Sequence, residues 1–372
     1  MILAVASPSS SVYSETFIRM QMERLPCILR IHGGPVASET IPGGQIKPLG
    51  TLRGLIDTAV ECGFRRKRWE GPHGKELGRR LRHAGVTTVL ANYGHTGVEL
   101  LPICRDNGIK LVVHFHGYDA HMASVVEQYV EQYAELGNEA TAIIAVSNRM
   151  VDALVSYGIA REKIHLIRYG ADPSKFSAIA SLPGDPLFFG VGRFVDKKAP
   201  YLTVLAFKDV YVKYPNARLV LAGDGPLFEA TRNLCSVLDL TAAVKFTGVI
   251  SPMDVADWMS RATAYVQHSI TPQYGPSKGD SEGTPVAILE AMITGIPVIS
   301  TRHAGISDVI DHGKSGLLVE ERDVVAMTQA MLALCADRDL ALKLGEAARK
   351  KALIHYSADT YIGSLMAILE SV

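Results

Sequence analysis

Cysteine is scarce in this chain. Five occur in 372 residues, at Cys27, Cys62, Cys104, Cys235 and Cys335, isolated from one another and odd in number. No Cys-x-x-Cys pair or Cys/His cluster is present, which excludes a zinc ribbon and a disulfide scaffold and suits a reducing cytosol. There is no excess of charge of either sign, with Lys+Arg and Asp+Glu at 38 each, so nothing points to nucleic acid or another polyanion. No apolar run approaches the ~18 residues needed to cross a bilayer. The opening Met1–Ser7 lacks a basic segment and reads as a first buried strand rather than a signal peptide. No repeat is visible, and the 33 Gly and 18 Pro follow no period, which excludes collagen-like and low-complexity chains.

What is present is apolar and regularly interrupted. Hydrophobic residues make up 48% and charged residues 20%, the mark of a well-buried globular protein long enough for two domains. Short, β-branched, nearly continuous runs predict strands at Ile2–Ala6, Val86–Ala91, Leu111–Phe115, Ala142–Val146, Lys163–Ile167, Leu187–Val191, Arg218–Ala222, Lys245–Phe246, Ala264–Gln267, Pro297–Ser300 and Gly316–Val319. Helical patterns such as Ser124–Leu136, Tyr201–Tyr214, Phe228–Leu238, Pro285–Thr294 and Asp323–Leu334 alternate with them. Strand–helix alternation over the whole length predicts an α/β fold of two doubly wound Rossmann-like domains facing a central cleft. The Ser/Pro/Ala-rich stretch Asp172–Asp185 marks the boundary, with domains at 1–175 and 185–357. Ligands of such sheets bind at the carboxyl ends of the strands.

Three stretches carry chemistry. In Gly279–Met292, Pro285 sits like the first residue of a helix and Gly295 like its stop. Gly283, Thr284, Pro285 and Val286 would present backbone to an anion at that helix N-terminus, which suits a phosphate. Glu290 lies ~7–8 Å further along the helix, about the span from a pyrophosphate to its ribose. Glu282 precedes the helix. The bland alternative is that Glu282 complements the helix dipole while Glu290 faces solvent. In Gly190–Lys198 a Gly-x-Gly ends at Gly192, but Val195 replaces the third glycine of the dinucleotide fingerprint. Arg193 and Lys198 stand there instead, two cations able to neutralise a diphosphate unless they simply face water. In His114–Asp119, alternation puts His114 and His116 on one face at a strand end, with Gly117 allowing close approach of a ligand. A further feature is the basic region Arg65–Arg82 beside Phe64 and Trp69. Residues 53–82 hold nine Lys/Arg against four Asp/Glu, which suits either an anionic lipid surface or a solvated helix face.

In order and spacing these motifs resemble the retaining, GT-B-fold glycosyltransferases of the family-4 type. The E-x7-E pair is Glu282 and Glu290, and the GR-x4-K element is Arg193 and Lys198. Ala304–Asp308 is similar to the family's G-G-x-x-E turn. Ser14–Ile18, His114–Asp119 and Gly279–Pro285 together resemble the exopolysaccharide, colanic-acid-type branch.

The resemblance implies a hexosyltransferase-type enzyme that moves a sugar from a nucleotide diphosphate sugar to a glycan or lipid-linked hydroxyl, with retention and no metal or other cofactor. Glu290 would bind ribose hydroxyls, Glu282 donor-sugar hydroxyls, and Gly283–Val286 the phosphate. Arg193 and Lys198 would hold the diphosphate beside Gly192. Thr247–Ile250, with Gly248 and Val249, would frame the base. His116 would touch the sugar near its reacting carbon, with His114 the second choice. Ser14, Glu15 and His114 fall on the acceptor side, in the first domain, to which a tail helix from about 358 to 372 would return. Location is expected to be cytoplasmic, peripheral on the inner face of the membrane. Departures are Ala199 after the lysine, Asp308 for Glu, a Ser-rich first loop and the extra Tyr274–Lys278.

Asp337-Arg338-Asp339 has the Asp-x-Asp spelling of metal-dependent transferases, but at a helix start it reads as a cap. The alternatives are a sugar-nucleotide epimerase or phosphorylase on the same fold, a catalytically degenerate binding or scaffold subunit, and, less favoured, a nicotinamide dehydrogenase.

Overall fold

The computed structural model describes residues 1–8, 15–32, 38–40, 47–48, 72–179, 181–182 and 184–372. They form two compact units, Met1–Ile167 with Ile362–Val372, and Arg168–Tyr361. The junction falls at Ile167, ahead of the segment that composition marks. Residues 168–185 belong to the second unit because they are anchored there: Leu182 joins its core, and Ile179 N–H donates to Thr294 O.

In the first unit the strands are β1 (Leu3–Ser7), β2 (Cys27–His32), β3 (Ser38–Thr40), β4 (Lys47–Pro48), β5 (Thr88–Asn92), β6 (Lys110–His114), β7 (Ala142–Ala145) and β8 (Ile164–Leu166). Their order is β4-β3-β2-β1-β5-β6-β7-β8. Six are parallel, and β3 and β4 extend the edge antiparallel. Strands β1 and β5 are buried at every position, as helices on both faces of a parallel sheet require. Cys27–His32 is absent from the sequence expectation. Arg30 interrupts its apolar run, and its guanidinium is taken up by the carbonyl of Met22.

In the second unit β9 (Leu187–Val191), β10 (Arg218–Ala222), β11 (Val244–Gly248), β12 (Ala264–Gln267), β13 (Val298–Thr301) and β14 (Gly316–Val319) form one parallel sheet in the order β11-β10-β9-β12-β13-β14. The chain runs outward from β9 to β11 and then returns to the other side of β9. Strand order therefore reverses between β9 and β12, and the carboxyl ends of those two strands bound the crevice where such folds take ligands. Four of the predicted strands here match residue for residue, and Lys245–Phe246 proves to be the middle of a five-residue strand.

The helix Val286–Thr294 starts one residue later than expected. Pro285 is its extended N-cap (φ −62°, ψ 116°), and Gly295 closes it in the left-handed region at φ 85°. The helix Arg338–His355 crosses it, and the crossing depends on Gly345. A Cβ there would overlap the carbonyl oxygen of Gly295. Alanine for glycine in a free helix gains about 1 kcal/mol, whereas forced overpacking costs about 1–3 kcal/mol. Gly345→Ala is therefore expected to lower the urea midpoint. An unchanged or raised midpoint would refute the close crossing.

Candidate active site

Side chains at the ends of β9 and β12 close into a ring. Lys198, just beyond β9, places Nζ 2.9 Å from Glu282 Oε1 and 3.1 Å from Gln267 Oε1. Gln267 Nε2 donates to Ser269 Oγ at 2.7 Å, and the Ser269 hydroxyl points back to Glu282 Oε1 at 3.5 Å. The neighbouring strand supports the ring from beneath: Ser300 Oγ donates to Gln267 O and Thr301 Oγ1 to Ser269 O. Burial opposes ionisation of Glu282, but Lys198 and then Lys197 outweigh it and hold the carboxyl at about 2. Burial also pulls Lys198 below the usual lysine range, against the pull of Glu282.

The next layer fixes the loop that carries Glu282. Lys197 is buried and pairs with Asp280 at 3.0 Å, so consecutive lysines grip alternate acids. His303 Nε2 accepts the backbone N–H of Glu282 at 3.1 Å, and His303 Nδ1 lies 2.6 Å from Glu321 Oε1. Glu321 also accepts from Thr271 N and Oγ1.

Arg193 is exposed, and among the described residues its guanidinium makes no hydrogen bond or ion pair. With Gly192, Lys198, Tyr265 and Gln267 it lines a crevice at the switch point. Gly192 and Gly223 follow β9 and β10, and Gly248 ends β11. At Gly223 a Cβ would overlap Gly192 O, so the two turns touch backbone to backbone. Gly248 takes φ 68°, and Val249 beyond it is exposed. Gly283, Thr284 and Pro285 are buried, Val286 is half-buried, and the helix they lead into opens with amide N–H groups that lack intrahelical partners. Glu290 is half-buried on that helix rather than facing solvent. Among the described residues its carboxylate has no hydrogen bond or ion pair, and burial lifts it to about 7.

In the first unit, Asp119 is the organising residue. Fully buried, it accepts N–H bonds from Gly94, His116 and Gly117 at 2.9–3.0 Å, tying the loop after β6 to the start of the helix Gly94–Asp106. Burial still keeps its carboxyl above the ordinary range. His116 Nε2 lies 2.8 Å from Asn92 Oδ1, an acceptor, so Nε2 carries the proton. Its ring is packed by Phe17, Tyr93 and His114, and burial drives its pKa well down. Tyr93 OH donates to Glu15 at 2.7 Å.

His114 does not reach an open face. It is fully buried, takes a bond from Gln21, and burial lowers it to about 3. Its neighbour His116 retains slight exposure because the chain turns at Gly117.

Other expectations meet the structure as follows. Ser14, Cys62, Phe64 and residues 65–71 lie outside the described residues. In the described part of the basic region, Arg79 and Arg80 both pair with Glu76, which diminishes free charge there. Asp337 caps the helix Arg338–His355 by accepting from Leu340 N–H. Ala199 adopts φ 35° and Ala304 φ 42°, left-handed conformations where the family pattern has glycine. Asp308 pairs with Arg168 at 3.4 Å. Lys197, Gln267, Ser269, Asp280, His303 and Glu321 were not anticipated. The Lys197-Lys198 doublet facing Asp280-x-Glu282 was the available signal for two of them.

Residues 173–351 match the family described as Glycosyl transferases group 1, and residues 48–175 match Glycosyltransferase Family 4. With the two Rossmann-like halves, these assign the chain to the GT-B glycosyltransferases of the family-4 type. Among its relatives is WcaL of Escherichia coli (strain K12), a protein named as a glycosyltransferase of colanic acid biosynthesis. It is 27% identical over 88% of this chain and 85% of its own. The amylovoran biosynthesis glycosyltransferase AmsK of Erwinia amylovora is 28% identical over 70% of this chain and 64% of its own. The fold is also that of Anabaena HepE, solved in complex with UDP, at 16% identity and a TM-score of 0.77 over the whole of both chains. Among the described residues no helix is long and apolar enough to cross a membrane.

Glu290 gives a pH signature. Its folded-state carboxyl, at about 7, holds a proton that the unfolded chain releases near 4.5. Stability from this group is therefore complete below 4.5 and is lost as pH rises through 7. Ligand-free Glu290→Gln should melt above wild type at pH 8, with the gap closing by pH 5. A gap independent of pH would contradict the placement of this carboxylate.

Proposed function

We propose that this glycosyltransferase moves a sugar from a nucleotide diphosphate sugar to a hydroxyl of a glycan or lipid-linked acceptor in exopolysaccharide or glycolipid biosynthesis. The observation that carries the reading is Arg193, whose guanidinium has no hydrogen bond or ion pair among the described residues, next to the Lys198–Glu282 ring at the carboxyl ends of β9 and β12. Arg193, Lys198 and the amides that open the helix at Val286 concentrate positive potential where a diphosphate develops charge as it leaves. Glu282, ionised and immobilised, accepts from sugar hydroxyls. Glu290, whose carboxylate has no hydrogen bond or ion pair among the described residues, takes the ribose hydroxyls. Gly248 and Val249 frame the base, and His116, held at Nε2 by Asn92, contacts the sugar. UDP in the HepE structure and the biosynthetic names of WcaL and AmsK support the substrate class.

The reaction breaks the bond between the sugar's anomeric carbon and the diphosphate oxygen and forms one to the acceptor oxygen on the same face. The acceptor's proton passes to the departing phosphate, so configuration is retained without a protein nucleophile. No metal is required in this reading, because fixed cations occupy the role that Mg²⁺ plays elsewhere. A cytoplasmic, peripheral location fits an acceptor carried on lipid, with the Arg65–Arg82 region as the contact to anionic lipid.

Arg193→Ala is expected to lower kcat by roughly 10²–10³-fold, the usual loss for a preorganised charge stabiliser, with an unchanged melting temperature. Lys198→Ala should lower both, since Glu282 is left buried without its counter-ion. Wild-type turnover in purified Arg193→Ala would remove the assignment. Independently, exhaustive chelation with EDTA should leave turnover intact. Loss restored by added Mg²⁺ or Mn²⁺ would show that a cation holds the diphosphate.

A further inference from the structure

We propose that His303 and Glu321 are a positioning pair that sets the backbone at Glu282, and so the placement of its carboxylate on the donor sugar. The inference deepens the proposed function and rests on it. The starting point is a constraint on protons. The Glu282 N–H is always a donor, so His303 Nε2, 3.1 Å away, must be a bare acceptor. The ring proton then sits on Nδ1, where Glu321 Oε1 receives it at 2.6 Å. A doubly protonated ring would set one N–H against another. Glu321 thus selects the one tautomer that can hold the loop.

The geometry around Glu321 is built rather than incidental. Glu321 is oriented by Thr271 N and Oγ1, and Arg322 reaches both Glu321 and Thr271 O. Arg322 itself takes φ 69°, a left-handed conformation that is unfavourable for a non-glycine residue. Its amide is held there by a second buried histidine, His268, whose Nε2 accepts it at 2.8 Å. Two histidines following β12 and β13 therefore each capture a backbone N–H, one on the Glu321 turn and one on the Glu282 loop. Lys197, through Asp280 and Ser281 O, fixes the same loop from the opposite side.

Paired near-isosteres separate positioning from packing. His303→Asn keeps a donor near the Nδ1 position for Glu321 but loses the acceptor for Glu282 N–H. His303→Gln loses that donor but can bring Oε1 to the Nε2 position. Each variant is assayed with whichever of UDP-glucose, UDP-N-acetylglucosamine, GDP-mannose, ADP-glucose or dTDP-glucose wild type consumes, and titrated calorimetrically with the matching nucleoside diphosphate. Positioning predicts that Asn lowers kcat/KM on the order of 10²-fold, as expected for misplacement by about 1 Å. Gln should restore most of it, and nucleoside diphosphate affinity should stay at the wild-type value in both.

Equal activity of Asn and wild type overturns the inference. So does a parallel fall of turnover, nucleoside diphosphate affinity and melting temperature in both variants, the mark of a structural role. Failure of wild type to consume any of these donors would instead count against the proposed function itself.

Discussion

The second unit depends on moving two lysines and two acids out of water together. Separating a buried ion from its partner costs several kcal/mol, and a lone carboxylate at Glu282 would protonate rather than remain charged. The backbone therefore has to deliver Lys197 and Lys198 from the turn after β9, and Asp280 and Glu282 from the loop before the helix, in one arrangement. Once that is met, much else is determined. The loop after β12 must turn so that Gln267 and Ser269 fill the remaining hydrogen-bonding valences. Strand β13 must end in hydroxyls, Ser300 and Thr301, because the carbonyls of that loop need donors. Specificity of conformation is the return on an ion pair that contributes little net stability.

Arg193 and Glu290 gain their meaning against this background. Lys197, Lys198, Asp280 and Glu282 answer one another, while among the described residues neither the Arg193 guanidinium nor the Glu290 carboxylate makes a hydrogen bond or ion pair. With those four in balance, Arg193 and Glu290 keep hydrogen-bonding capacity beside them. The first unit solves a similar problem differently. There Asp119 is satisfied by three backbone amides instead of a cation, which makes the loop after β6 and the helix from Gly94 a single rigid piece carrying His116.

Much of the fold was legible because parallel strands buried on both faces leave continuous apolar runs, as in Leu187–Val191 and Arg218–Ala222. Cys27–His32 escaped because an arginine breaks its apolar run, and the carbonyl of Met22 that takes one end of the guanidinium is not evident from local sequence. Arg193, Lys198, Glu282 and Glu290 were legible as candidates because each belongs to a spaced motif next to a strand end or helix start. His303 and Glu321 could not, since their pairing spans 18 residues and arises only when β13 and β14 lie side by side. His114 misled because alternation fixes the side of a strand, not the depth at which it is covered.

The segment from Gln273 to Lys278 stands out from the loop that carries Glu282. It is largely exposed, and the amide of Gly279 bonds to the carbonyl of Pro272, so its two ends are tied together at the base. Beyond that knot the chain can grow or shrink at small entropic cost, because each doubling of a loop costs only about 0.6 kcal/mol. Beyond the knot Asp280 still donates its N–H to Ser277 O, whereas the amide of Glu282 is held by His303. A longer or shorter segment is therefore compatible with an unmoved Lys198–Glu282 pair.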